Sequence, residues 1–404
     1  MSTLTATLDA ATSETTITTI DPPKHYESNG SNGTIVMEQS DAPITPKPNF
    51  GIVDCDVHHN LSSKEALFPY LPRHYVEQIK DFGTMMPGIG YTNVPGMGAR
   101  DDLWLESPDV NPATLPHIAA TKHLEPYNVD VAVLTGGATS PAAVHPNADY
   151  AAAYCSAFNQ YTEAEWLASD DRFYGSIHIS PTDPDLAIKE IERLGDNPRY
   201  IQVMMPAGAR MPFGNRFYHP IYEACAHYGL PMGVHFGGEG AGTSAPPTAA
   251  GYPTYYLEMR MARPQIAMAH TVSLICEGVF EKYPSFRFLF VEHDTFWIPG
   301  TMWHMDQDWK GLRDYTPWVK KLPSEYLRSN IRFGTQPMPA APTRQDLEKL
   351  LEWMWADEIL VFASDYPHWD WDEPSTFLAG FDKEYRQQIM IDNARDLYAA
   401  RLSG

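Results

Sequence analysis

The sequence predicts an α/β fold, a parallel sheet covered by helices and closed as a (β/α)8 barrel. Three observations carry this. Short apolar runs alternate with helical stretches over about 350 residues, the pattern of repeated βα units. No GxGxxG or GxxxxGK[ST] stands at a strand-to-helix turn, which weakens the competing open, nucleotide-binding sheet. Metal-ligand residue types cluster where several of the apolar runs end, as they would around the mouth of a barrel.

The elements follow in order. The first twenty residues contain ten Ser or Thr, and the stretch onward to Pro48 is rich in Gly, Ser, Asn and Pro. Such a composition cannot bury enough apolar surface to offset its ordering entropy. Residues 1–48 are therefore expected to be a disordered N-terminal tail, and 49–404 the barrel. Order is expected from Phe50, with a first strand running into Asp54-Cys-Asp56-Val-His58-His59. Val129–Leu134 reads as a strand ending at Gly136-Gly137, and 148–168 as a helix. Strands follow at 173–179, 200–204, 231–235, 286–292 and 359–363. Helices are expected at 184–194 with Asp183 as cap, and at 220–228, 266–283, 343–355 and 383–400. Seven strands are located in this way. The insertion Gly83–Pro112 and the loop Gly237–Pro253 are expected to overhang the C-terminal mouth.

Composition narrows the function. With 43% hydrophobic and 12% aromatic residues, the chain can build a large core. Against 29 Lys and Arg stand 51 Asp and Glu, a formal charge of −22. The tail carries −4 of this, leaving −18 on the rest. Such a surface repels phosphate backbones and anionic lipids, so neither nucleic acid nor membrane is the expected partner. No apolar run reaches 18 residues and no basic-apolar leader is present, which predicts a cytoplasmic protein. Cys55, Cys155, Cys225 and Cys276 are too sparse for a disulfide framework and form no CxxC pair, so they read as small buried hydrophobes.

The chemistry lies at the strand ends. Asp56 and His58 stand two apart on one strand and so share a face, with Asp54 expected one layer below. A carboxylate and an imidazole so placed can grip a metal together. His235 closes the apolar run Pro231-Met-Gly-Val and precedes Phe236-Gly-Gly. His293 follows Phe290-Val-Glu292, and Asp365 closes Val361-Phe-Ala-Ser before Tyr366-Pro-His368. Read singly, each fits a capping or core-bound polar residue as well as a ligand.

Together, five motifs in order resemble the amidohydrolase superfamily, in the branch holding aminocarboxymuconate-semialdehyde decarboxylase, hydroxybenzoate decarboxylases and several hydrolases. They are Asp54-Cys-Asp56-Val-His58, Pro231-Met-Gly-Val-His235, Gly278-Val-Phe-Glu-Lys-Tyr-Pro284, His293 to Pro299, and Ser364-Asp365-Tyr366-Pro367. The resemblance covers about 50–400. It implies a TIM barrel with one divalent metal, zinc first and manganese second, held by Asp56, His58, His235 and Asp365. It implies His293 as a catalytic residue that is not a ligand, and Asp365 as proton carrier. Asp56 departs from the His or Glu usual at its position, and an oxygen donor makes the site harder. Arg260, Phe236, Trp297 and His270 are expected around a small-molecule substrate. The family resemblance also implies a homo-oligomer, a dimer or larger. Hydrolysis of an amide, ester or lactone, with Asp365 serving metal-activated water as general base, is the first functional expectation. Non-oxidative decarboxylation of an aromatic or unsaturated acid is the alternative, because the same residues serve both.

Overall fold

The computed structural model of the protein describes residues 51–402, apart from 85, 88–97 and 138. The expected tail and much of the insertion after Gly83 lie outside the described residues. Eight strands form one parallel sheet in sequence order: β1 (Ile52–Val57), β2 (Val129–Leu134), β3 (Phe173–His178), β4 (Tyr200–Pro206), β5 (Met232–His235), β6 (Phe288–Val291), β7 (Ile331–Gly334) and β8 (Leu360–Val361). Backbone bonds from Cys55 N–H to Phe362 O and from Asp365 N–H to Asp56 O join the last strand to the first. The sheet is thereby a (β/α)8 barrel, as the alternation predicts.

The strand absent from the sequence reading is β7. It has four residues, one of them Arg332, so it has no apolar run to detect. In the fold Arg332 is buried, and its guanidinium bonds to Arg328 O, Ile331 O and Asp396. The expected helix 266–283 is two helices, Arg263–Cys276 and Val279–Lys282. They break at Gly278, whose φ of +72° and 2.5 Å approach of its Cβ position to the Trp318 indole admit no side chain. Asp183 caps Pro184–Leu194 by accepting from the N–H groups of Asp185 and Leu186. All four cysteines are free, and three are buried.

Two apolar layers hold the barrel. The larger lies between strands and helices. The smaller comprises Val53, Cys55, Val133, Ile201, Leu289, Val291 and Val361, sealed by Ala394, Leu397 and Tyr398 near the C-terminus. A polar chain crosses this interior. Tyr398 OH donates to Gln202 Oε1, Gln202 Nε2 donates to Ser176 Oγ, and Ser176 donates to Leu134 O. Tyr398→Phe leaves Gln202 Oε1 buried without its donor. That is expected to cost about 1–3 kcal/mol in urea unfolding; a loss too small to measure would show that the chain is not a stabilising unit. No helix among the described residues is long and apolar enough to cross a membrane.

Candidate metal centre and active site

Strand β1 departs from regular pairing between Asp54 and Val57. Val53 and Cys55 fill the inner layer and Val57 joins the outer one, while Asp56 and His58 reach the mouth. There they meet His235 from β5 and Asp365 from the turn after β8. His58 Nε2 lies 3.0 Å from Asp365 Oδ1, 3.1 Å from His235 Nε2 and 3.4 Å from Asp56 Oδ1. His235 Nε2 lies 3.8 Å from Asp56 Oδ1. None of the four residues is more than 5% exposed.

These donors fit a divalent cation. His235 Nδ1 sits 2.6 Å from the Phe236 carbonyl. It therefore carries the proton, and the Nε2 lone pair faces the cluster. Burial, reinforced by His58, lowers the His235 imidazole to about 3, so it stays in the neutral form that a metal requires. Asp56 Oδ2 and Asp365 Oδ2 are buried without a hydrogen-bond partner among the described residues. Burial, then the neighbouring Asp365 and Glu292, push the Asp56 carboxyl well up. Three buried carboxylates in one place call for a positive charge among them. Asp56, His58 and His235 form one compact ligand group, and His58, Asp365 and His368 a second that shares His58.

A second set of residues holds these donors in place. Thr135 Oγ1, beyond β2, donates to Asp56 Oδ1 at 2.5 Å. Asp54 does not lie one layer below Asp56 in the barrel. Its Oδ1 accepts from the N–H groups of Asp56 and Ser364, and its Oδ2 lies 2.7 Å from His123 Nε2. It thus ties the ends of β1 and β8 to the segment Ala120–Leu124. Asp54→Ala strips three buried donors of their acceptor. It is expected to cost about 3 kcal/mol or more in metal-free unfolding and to weaken metal affinity about 10–100-fold. Losing less than about 1 kcal/mol would refute this tie.

Glu292, Asp294 and Asp365 have φ of +63°, +54° and +62°. Left-handed backbone at non-glycine residues costs about 1–3 kcal/mol each, and these three sit at two strand ends of the mouth. The turn at Glu292 decides which residue of the Glu292-His293 pair faces the donor cluster. Glu292 Oε2 lies 3.5 Å from His235 Nε2, and Glu292 Oε1 accepts from Arg263 Nη1 at 2.7 Å. The His293 ring packs near Phe290 and Phe236. His368 Nδ1 lies 2.6 Å from Asp365 Oδ1. Burial acts to lower the His368 imidazole, but Asp365 and Glu292 outweigh it and push it up to about 9.

A cavity of about 260 Å³ opens above the cluster, lined by His58, Asn60, His235, Phe236, Tyr256, Arg260, Arg263, Glu292, His368, Trp369 and Asp370 among others. Phe236 and Arg260 are thus both on the cavity wall. His270 and Trp297 do not line it. His270 accepts from Phe213 N–H and donates to Ala207 O, stacked on Phe213 at 3.9 Å. The Trp297 indole donates to the carbonyls of Asp294 and His293. Gly98, where the insertion returns, lines the cavity, and Arg100 N–H bonds Pro367 O beside Asp365. The 237–253 loop instead bonds sideways to Val144 and Ala209. Glu292 is legible in the sequence as a strand-end acid and Arg263 as an arginine able to clamp a carboxylate, though not as partners; His368 and Thr135 are the residues here that the sequence reading missed. Only His368, three residues after Asp365, carried a signal; Thr135 needs the β1–β2 pairing to be seen.

Comparison with curated proteins returns no match. Among solved structures, an amidohydrolase of Mycobacterium avium subsp. paratuberculosis K-10 is 20% identical with a TM-score of 0.66, covering 87% of this chain and 100% of its own. The 2,6-dihydroxybenzoate decarboxylase from Rhizobium is 18% identical, TM-score 0.61, over 88% and 99%. A dihydroxybenzoic acid decarboxylase of Polaromonas sp. JS666, with bound manganese and the inhibitor 2-nitroresorcinol, is 19% identical, TM-score 0.61, over 86% and 97%. These likenesses share the barrel. The family model described as Amidohydrolase matches residues 53–400, nearly the whole barrel and every ligand candidate, and the chain belongs to the amidohydrolase family.

Proposed function

We propose that the protein is a metal-dependent, non-oxidative decarboxylase of a small aromatic acid. The observation that carries this reading is the contact between His368 and Asp365 at 2.6 Å, with His368 on the cavity wall. Decarboxylation breaks a carbon–carbon bond, releases CO2 and must end with a proton delivered to the carbon left behind. A proton on His368 Nδ1 passes to Asp365 Oδ1 and from that carboxyl to the carbon. Asp56, His58, His235 and Asp365 would hold the metal, which supplies Lewis-acid attraction for the substrate's carboxylate and neighbouring oxygens. Arg263, clamped by Glu292 and lying 4.2 Å from the Phe236 ring centroid, gives the cavity one fixed side. Phe236 and Trp369 offer flat apolar surfaces to a ring.

Hydrolysis stands first on sequence alone. The decarboxylases among the solved neighbours, two acting on dihydroxybenzoates by their names and one described as a 5-carboxyvanillate decarboxylase, support the other reaction. Two aspartates and two histidines make a hard donor set, which favours manganese over the zinc that the resemblance puts first. Three of the neighbouring structures hold manganese. A paired screen of the manganese-loaded protein, for CO2 from hydroxybenzoates and for acid from esters, amides and lactones, tests the reading. CO2 release is expected; acid release without CO2 would restore hydrolysis.

A further inference from the structure

Both arginines of the cavity are already engaged. Arg263 donates to Glu292, and the two side chains are only 3% and 6% exposed. Arg260 forms an ion pair with Asp370 through Nη2, at 17% and 16% exposure. Its guanidinium carbon lies 5.5 Å from the Trp369 ring centroid. The Asp370 backbone is held separately, its carbonyl accepting from Gln336 Nε2 at 2.9 Å. The loop therefore does not depend on the ion pair, and Asp370 places a carboxylate where a substrate's own could otherwise sit.

The charges close in pairs. Each cation of the lining already faces a carboxylate: His368 meets Asp365, Arg263 meets Glu292 and Arg260 meets Asp370, while Asp56 and Asp365 would balance a divalent cation. One substrate carboxylate can be drawn to the metal. A second finds no unpaired cation among the described lining residues, and burying it alone is costly. The remaining polar wall, Asn60 and Tyr256 with the main chain at Gly98 and Gly137, is neutral and suits hydroxyl groups.

We propose that Asp370 sets the charge of the substrate: by occupying Arg260 it admits aromatic acids with one carboxylate and neutral polar substituents, and turns away dicarboxylates. The inference rests on the decarboxylase reading for the aromatic acid, yet binding tests it apart from turnover. The manganese-loaded full chain is titrated calorimetrically with 2-hydroxybenzoate and with 4-hydroxybenzene-1,3-dicarboxylate, the same ring bearing a second carboxylate. The monoacid is expected to bind at least about tenfold more tightly. Asp370→Asn keeps the shape but removes the charge, and is expected to narrow that ratio by about tenfold or more by gaining affinity for the diacid. Adding Arg260→Gln should abolish the gain.

The proposal is overturned if the wild type binds the diacid as tightly as the monoacid, if Asp370→Asn leaves the ratio unchanged, or if the gain survives without Arg260. Binding of neither acid overturns it together with the aromatic-acid reading. Selective binding of the monoacid without CO2 release leaves the inference standing and removes the decarboxylase reading alone.

Discussion

Asp365→Asn is expected to lower turnover about 10³-fold or more while the barrel stays folded. The substitution keeps the volume of the side chain. Asn also tolerates the left-handed φ of +62° that this position demands. The amide cannot accept a proton from His368 Nδ1 and hand it on, and it is a poorer ligand than a carboxylate. Two roles are therefore lost at one position. The measurements are CO2 release under saturating manganese, metal content, and circular dichroism to check the fold. Activity within about tenfold of wild type would remove Asp365 from the proton path.

His235→Ala is expected to reduce bound metal from about one per chain to less than about a tenth after dialysis. The Nε2 of His235 lies 3.1 Å from that of His58, so its loss opens one side of the donor set. Stability changes with it. Wild type in manganese at a thousand times its dissociation constant gains about 4 kcal/mol by linkage, and the variant should gain almost none. The readouts are elemental analysis and melting with and without manganese. Full occupancy in His235→Ala would remove this residue from the ligand set.

How legible was this site? The ligand candidates could be read because each sits beside an apolar run that is long enough to be recognised. His235 after Met-Gly-Val and Asp365 after Val-Phe-Ala-Ser both follow that pattern. The structure brings Asp56, His58, His235 and Asp365 together from three distant parts of the chain. Asp54 was misplaced because the two-residue alternation fails across the irregularity in β1, which turns its carboxylate outward to His123. The Glu292-His293 pair presents the same difficulty. Two polar residues are adjacent, and a single left-handed φ determines which one meets His235. His270 and Trp297 were expected at the substrate because a histidine and a tryptophan near a motif are chemically capable. Their ring nitrogens are instead taken by local carbonyls and an amide.

The sequence by itself determined the alternation of strand and helix, seven of the eight strands, and the donor types at the ends of β1, β5 and β8. Those properties are local: apolar periodicity, turn residues and motif order all lie within short windows of chain. Tertiary structure alone decided strand β7, the outward turn of Asp54, the entry of Glu292, and the pairing of each cavity arginine with a carboxylate. Arg260 and Asp370 are 110 residues apart, and Arg263 and Glu292 are 29 apart. Barrel closure sets such partners side by side, and whether a buried charge is free or already paired depends on that closure rather than on the residue's immediate neighbours.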